Sequence, residues 1–198
     1  SSSALRRIQQ EFLPKFFPNK RVLGIIIPTA EEVVLKTKTG EVGILATEAT
    51  IHSFAYPKEI TKQRDSIKVH QQAGTLLVPI IEAGELSWEG LDLIVQKYLK
   101  ELFERSSKID TLVLGCTHYA LIEDIINKNI PKGVNIISQG KIIADKLKNY
   151  LERHPEIESR LVKGDDRKFF STEDSWRVRN LFKLFYGQPV DVKKISLR

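Results

Sequence analysis

Apolar positions along the chain alternate between two rhythms, a helical repeat and short unbroken runs, with turn residues between them. Leu5, Ile8, Phe12 and Leu13 recur at helical spacing behind a serine start. Pro14 weakens that pattern and Pro18 ends it. Residues 21–27, rich in Val and Ile, predict a strand, and 30–35 predict a helix with Pro28 in its first turn. Residues 41–45 predict a buried strand, followed by the small and hydroxylated segment 46–50 and a helix from Ile51 onward. The apolar run 75–81 predicts another strand. Pro79 sets it at a sheet edge or at the strand's end, so Glu82 falls at a strand's C-terminal end.

Residues 88–103 carry Leu91, Ile94, Val95, Tyr98, Leu99 and Leu102 on one side, the pattern of an amphipathic helix. A strand over 111–115 then runs through a tight turn into a helix bearing Leu121, Ile122, Ile125 and Ile126. A short strand over 133–137 and a helix over 141–153 follow, stopped by His154 and Pro155. The remainder predicts two short strands within 159–171 around a Gly164-Asp165-Asp166 turn, a helix over 175–186 and a closing strand over 190–197. Strand, turn and helix in alternation mean parallel strands with right-handed crossovers. The expected class is α/β, an open parallel sheet flanked by helices, with additional C-terminal strand and helix elements.

Composition narrows the function classes. With 198 residues, 41% hydrophobic and 28% charged, the chain has material for one substantial core. No apolar run approaches a membrane span, and no signal peptide pattern opens the chain. The 31 basic residues are scattered among 25 acidic ones, so the net charge of +6 reads as a solvated surface rather than a nucleic-acid footprint. One cysteine excludes an internal disulfide and a cysteine-rich zinc site, and the cytoplasm is the simplest compartment. Neither a metal nor a Gly-rich phosphate loop is expected, and His52 and His70 read as surface or core-edge residues.

That cysteine, Cys116, lies where a strand ends and a helix opens, the edge at which open parallel sheets bind ligands. Unsatisfied N–H groups at the helix start favour a thiolate there over a thiol. Thr117 adds a hydroxyl, and His118 a group that exchanges protons near neutral pH. A buried structural cysteine is the plain alternative, but it has no use for a hydroxyl and an imidazole in the next two positions. Thr47 and Thr50 sit at another strand-to-helix turn, where each hydroxyl either caps the helix or faces a ligand. With Glu82, three strand ends bring polar groups to one edge; for Glu82 a plain surface position stays open.

Leu114-Gly115-Cys116-Thr117-His118-Tyr119 resembles the signature around the second catalytic cysteine of the aspartate/glutamate racemase family, and within it the glutamate racemases most. The segment from Thr37 through Thr47 and Thr50 to Tyr56 is similar to that family's threonine-bearing turn. Val78 to Glu82 resembles its glutamate-bearing stretch, and Phe170 to Asp191 its C-terminal segment. Ala120 and Ser138-Gln139 depart from it, where the family favours proline and an Asp-Ser pair.

The resemblance implies flavodoxin-like lobes that each offer a cysteine to opposite faces of a substrate carbon, with no cofactor. It implies that residues 1–20 belong to the first lobe, that 21–160 form the lobe with the second cysteine, and that 161–198 pack back toward the first. The first cysteine and an Asp-Ser-Gly loop are not in this sequence, so the chain alone is expected to be inactive. Cys116 and His118 would be catalytic, and Thr117, Thr47, Thr50 and Glu82 would bind substrate, a small amino acid destined as D-glutamate for peptidoglycan. A homodimer is left open. The competing expectations are a non-catalytic racemase-like binding protein, and a relative acting on aspartate, hydantoins or maleate.

Overall fold

The two most apolar strand segments become the two central strands of a parallel sheet. β1 (Glu41–Ala46) is buried from Val42 onward and β3 (Thr111–Leu114) along its whole length, as strands covered on both faces must be. They pair with Ile44 opposite Val113. β2 (Lys68–Ala73) flanks β1 and β4 (Asn135–Ile137) flanks β3, so the order is β2-β1-β3-β4 with every pairing parallel. The computed structural model describes residues 2–164, 166–173 and 176–196. Ser1, Asp165, Asp174, Ser175, Leu197 and Arg198 therefore lie outside the described residues, and with them parts of the expected turn at 164–166, the start of the 175–186 helix and the end of the last strand.

The helices are α1 (Ser2–Arg7), continued by a π turn (Ile8–Phe12) into α2 (Leu13–Phe16), then α3 (Ile26–Lys36), α4 (Glu48–His52), α5 (Ala55–Gln63), α6 (Leu77–Glu82) and α7 (Glu89–Phe103). After β3 come a 3₁₀ segment (Thr117–Ile122), α8 (Glu123–Asn129), α9 (Gln139–Arg153), α10 (Pro155–Glu158) and α11 (Trp176–Tyr186). Alternation along the strands sorts the core into two layers. Val42, Ile44, Ala46 and Val113 face Ile26, Ala30 and Val33 of α3 and Tyr56 and Ile60 of α5. Leu45, Leu112 and Leu114 face Leu77 and Ile81 of α6 and Leu91, Val95, Leu99 and Leu102 of α7. Each fully buried Val, Leu or Ile among them contributes roughly 1.5–3 kcal/mol.

Two expectations are corrected. Residues 21–27 form no strand; α3 begins at Ile26 and buries Ile26, Thr29, Ala30 and Val33, a helical repeat against the sheet. That repeat outweighs the strand preference of consecutive isoleucines. Residues 75–81 are not a strand either. The strand is the preceding polar segment β2, and α6 follows the turn at Gly74, burying Leu77 and Ile81 one helical turn apart. Glu82 consequently ends a short helix rather than a strand. Residues 159–171 supply one strand among the described residues, β5 (Phe169–Ser171), which pairs in parallel with β6 (Val192–Lys194). α11 joins them, and Phe169 packs edge-on against Phe182 and Tyr186 at 5.6 and 5.1 Å. Among the described residues, no helix is long and apolar enough to cross a membrane.

Candidate active site

The turn after β3 is shaped by Gly115, which runs close beside β1 and α5. A Cβ there would meet the Ala46 Cβ at 2.9 Å and Tyr56 at 3.1 Å. Cys116 follows in an extended conformation and caps the 3₁₀ segment through its backbone. Its sulfur is half-buried and lies 3.7 Å from His118 Nδ1. His118 Nε2 lies 3.1 Å from Glu82 Oε1. This chain of contacts fixes the tautomer of a neutral imidazole: Nε2–H donates to the carboxylate, and Nδ1 presents its lone pair to the thiol. A proton leaving Cys116 thus has an acceptor in place, oriented from behind by Glu82.

Burial raises the Cys116 thiol above its ordinary value of 9.0; N–H groups of His118 and Tyr119 pull it back, and the Glu82 charge pushes it further up. The thiolate expected from the helix start is therefore corrected: desolvation outweighs the backbone donors, and the thiol is the favoured form. The short 3₁₀ start brings only those two N–H groups to bear on the sulfur.

Of the two roles open to this pair, the structure shows the cap. Thr47 is the N-cap of α4, its Oγ1 accepting from the Thr50 N–H at 3.4 Å and lying 3.0 Å from the Thr50 hydroxyl. Thr50 also lines a cleft of about 410 Å³ with Tyr56, Gly115 and the 22–26 segment. Thr117 is exposed at the first position of the 3₁₀ segment. The structure thus joins Cys116, His118 and Glu82 by direct contacts, and places Thr50 against the same turn through Gly115. His52 is exposed, and His70 bonds Glu41 at 3.0 Å at the opposite end of the sheet. Among the described residues, no group of three or more His, Cys, Asp or Glu could hold a metal ion.

Three residues near the site were given no role by the sequence reading. Tyr56, fully buried, accepts from the Gln139 amide; burial first, with the nearby Cys116 charge, pushes its phenol well above the usual range. Gln139, at the start of α9, leaves its Oε1 without a partner in the interior. Its departure from the family's usual residue was the available signal. Arg177 of α11 contacts Glu82 Oε2 at 2.5 Å, and no local spacing could have announced it.

The chain is 34% identical to a glutamate racemase of Persephonella marina over 198 residues, all of this chain and 70% of that protein. It is likewise 34% identical to a glutamate racemase of Aquifex aeolicus, over 99% of this chain and 69% of that one. The crystal structure of glutamate racemase isoform RacE1 from Bacillus anthracis superposes with a TM-score of 0.84 at 28% identity, covering 99% of this chain and 70% of that one. The Francisella tularensis glutamate racemase, solved in complex with D-glutamate, gives 0.74 at 27% identity, over 87% and 62%. No protein-family model matches. These relatives are isomerases, and this chain's parallel α/β lobe is matched by theirs. The chain belongs to the glutamate racemase family.

Proposed function

We propose that this chain carries one of the two acid/base groups of a glutamate racemase, and that Cys116 is that group. The observation that carries the reading is the line of contacts from Cys116 through His118 to Glu82. In one direction the Cys116 thiolate takes the Cα proton and becomes a thiol, while a second acid protonates the carbanion on the opposite face. In the other direction Cys116 donates. Such a proton is weakly acidic, so proximity, desolvation and stabilisation of charge must act together. His118 relays the thiol proton, and Glu82 orients the imidazole. Thr47, Thr50 and Thr117 offer hydroxyls and backbone N–H groups to the substrate's carboxylates. No cofactor is needed for this scheme, and the D-glutamate formed would feed peptidoglycan synthesis.

Residues 21–160 are read as the lobe that presents Cys116, residues 1–20 as a helix of the first lobe, and residues 161–198 as a segment that packs back toward that first lobe. Cys116 is the one cysteine of the 198 residues, so the opposite face of Cα takes its acid from elsewhere, and one-sided exchange is the most this chain performs alone. The decisive measurement is wash-in of solvent deuterium at Cα of L- and D-glutamate by the complete enzyme. Cys116→Ala is expected to lower racemisation by roughly 10²–10⁴-fold, the usual scale of a lost acid/base. Racemisation at the parental rate would sink the reading.

A further inference from the structure

Glu82 is held from two sides. Its Oε1 faces His118 Nε2 at 3.1 Å, and its Oε2 meets Arg177 Nη2 at 2.5 Å. Arg177 stands in the first turn of α11, while Phe185, near the other end of the same helix, sets its ring edge-on to the imidazole at 5.1 Å and 89°. Eight residues of helix span about 12 Å, so α11 brackets the carboxylate and the imidazole together. The C-terminal segment, which among the described residues contributes no buried residue of its own, nevertheless touches both groups behind Cys116.

We propose that Arg177 is a positioning residue of the racemase site: it holds the Glu82 carboxylate toward His118 and offsets the carboxylate's charge, easing formation of the thiolate at Cys116. This rests on reading Cys116 as an acid/base group. As a contribution to stability the pair counts for little, because Arg177 is 61% exposed and exposed ion pairs are worth at most about 1 kcal/mol. Its leverage comes from the partner. Glu82 and His118 are 25% and 24% exposed, so charge is screened less there than at the surface. An unbalanced carboxylate behind the imidazole disfavours a second negative charge on the sulfur. The charged and titratable groups around this line are Glu82 from α6, Arg177 and Lys183 from α11, Tyr56 from α5, and His118 and Tyr119 on the thiol's own segment. Of these, Arg177 is the cation bonded to Glu82.

Since the chain has one thiol, its alkylation by iodoacetamide against pH reports Cys116 alone, without any need for turnover. In the full chain, Arg177→Gln is expected to move the alkylation midpoint up by roughly half a unit and slow the reaction at pH 8 by about two- to fourfold, the Coulomb effect of one partly screened charge. Arg177→Lys should restore most of the parental profile. Glu82→Gln should move the midpoint down, and Arg177→Gln added to it should change little, because the arginine acts through the carboxylate. An unmoved midpoint in Arg177→Gln, an equal shift in Arg177→Lys, or an undiminished shift in the Glu82→Gln background would each overturn the proposal. The deuterium exchange of Cys116→Ala judges the catalytic reading separately, since it involves neither Arg177 nor alkylation.

Discussion

A methyl group at position 115 would be pressed between the Ala46 Cβ of β1 and the buried Tyr56 ring. Neither can retreat, one being fixed by the sheet and the other by its bond to Gln139. Gly115→Ala is therefore expected to destabilise the chain by about 1–3 kcal/mol, the range for overpacking a core, measurable as a lowered denaturant midpoint. It should also displace Cys116 from His118, with loss of exchange activity exceeding the loss of folded protein. At the sulfur itself, burial raises the thiol pKa, so ionisation opposes folding. The stability held by the thiol form is whole below the ordinary value of 9.0 and drains away as pH climbs through the raised one. The alkylation rate of Cys116 should accordingly keep rising with pH beyond the point where a model thiol has levelled off.

At the scale of elements, Asp110 ties the loop before β1 to the start of β3. Its carboxylate accepts from the Thr37 hydroxyl at 2.7 Å, the Lys38 and Thr39 N–H groups at 2.7 and 2.8 Å, and the Thr111 hydroxyl at 2.9 Å. Burial works against the charge, but those donors together hold the carboxyl down to about 2. A depressed acid stabilises the fold above its unfolded value and loses that contribution as pH falls through the folded one, here between about pH 4 and pH 2. Asp110→Ala, which strands several donors, should cost about 2–4 kcal/mol at pH 7 and much less at pH 2, as read from urea unfolding at the two pH values.

The same scale explains what was legible in the sequence. β1, β3 and α7 announce themselves because each is apolar in its own period. β2, Lys68 to Ala73, is an edge strand whose burial is mostly partial, so its polar sequence hid it and the apolar α6 beside it was taken for the strand. The line from Cys116 to His118 was readable from two positions with a single residue between them in the chain. Arg177 was not, since its contact with Glu82 joins residues 95 apart in the chain.

For the whole molecule, the decisive arrangement is that β1 and β3 lie side by side at the centre while the chain leaves them toward different neighbours, opening a crevice at their C-terminal ends. Thr50 and Gly115 border that crevice from the two strands. Among the described residues, none beyond Gln139 is buried, so the core closes without the C-terminal segment. A chain ending at residue 160 should still unfold cooperatively, within about 2 kcal/mol of its parent, while its thiol titrates higher for want of Arg177. Loss of cooperative unfolding on that truncation would show that the last segment belongs to the core after all.

The groups behind the proposed chemistry stand on the connections that follow the strands, and the two central strands contribute mainly aliphatic filling. Folding and chemistry thus draw on largely separate sets of positions, Gly115 and Thr47 serving both. Randomising 47–50 and 117–118 in a laboratory-evolution library should leave most members folded, so that new substrate preferences could be selected on this scaffold without first rescuing its stability.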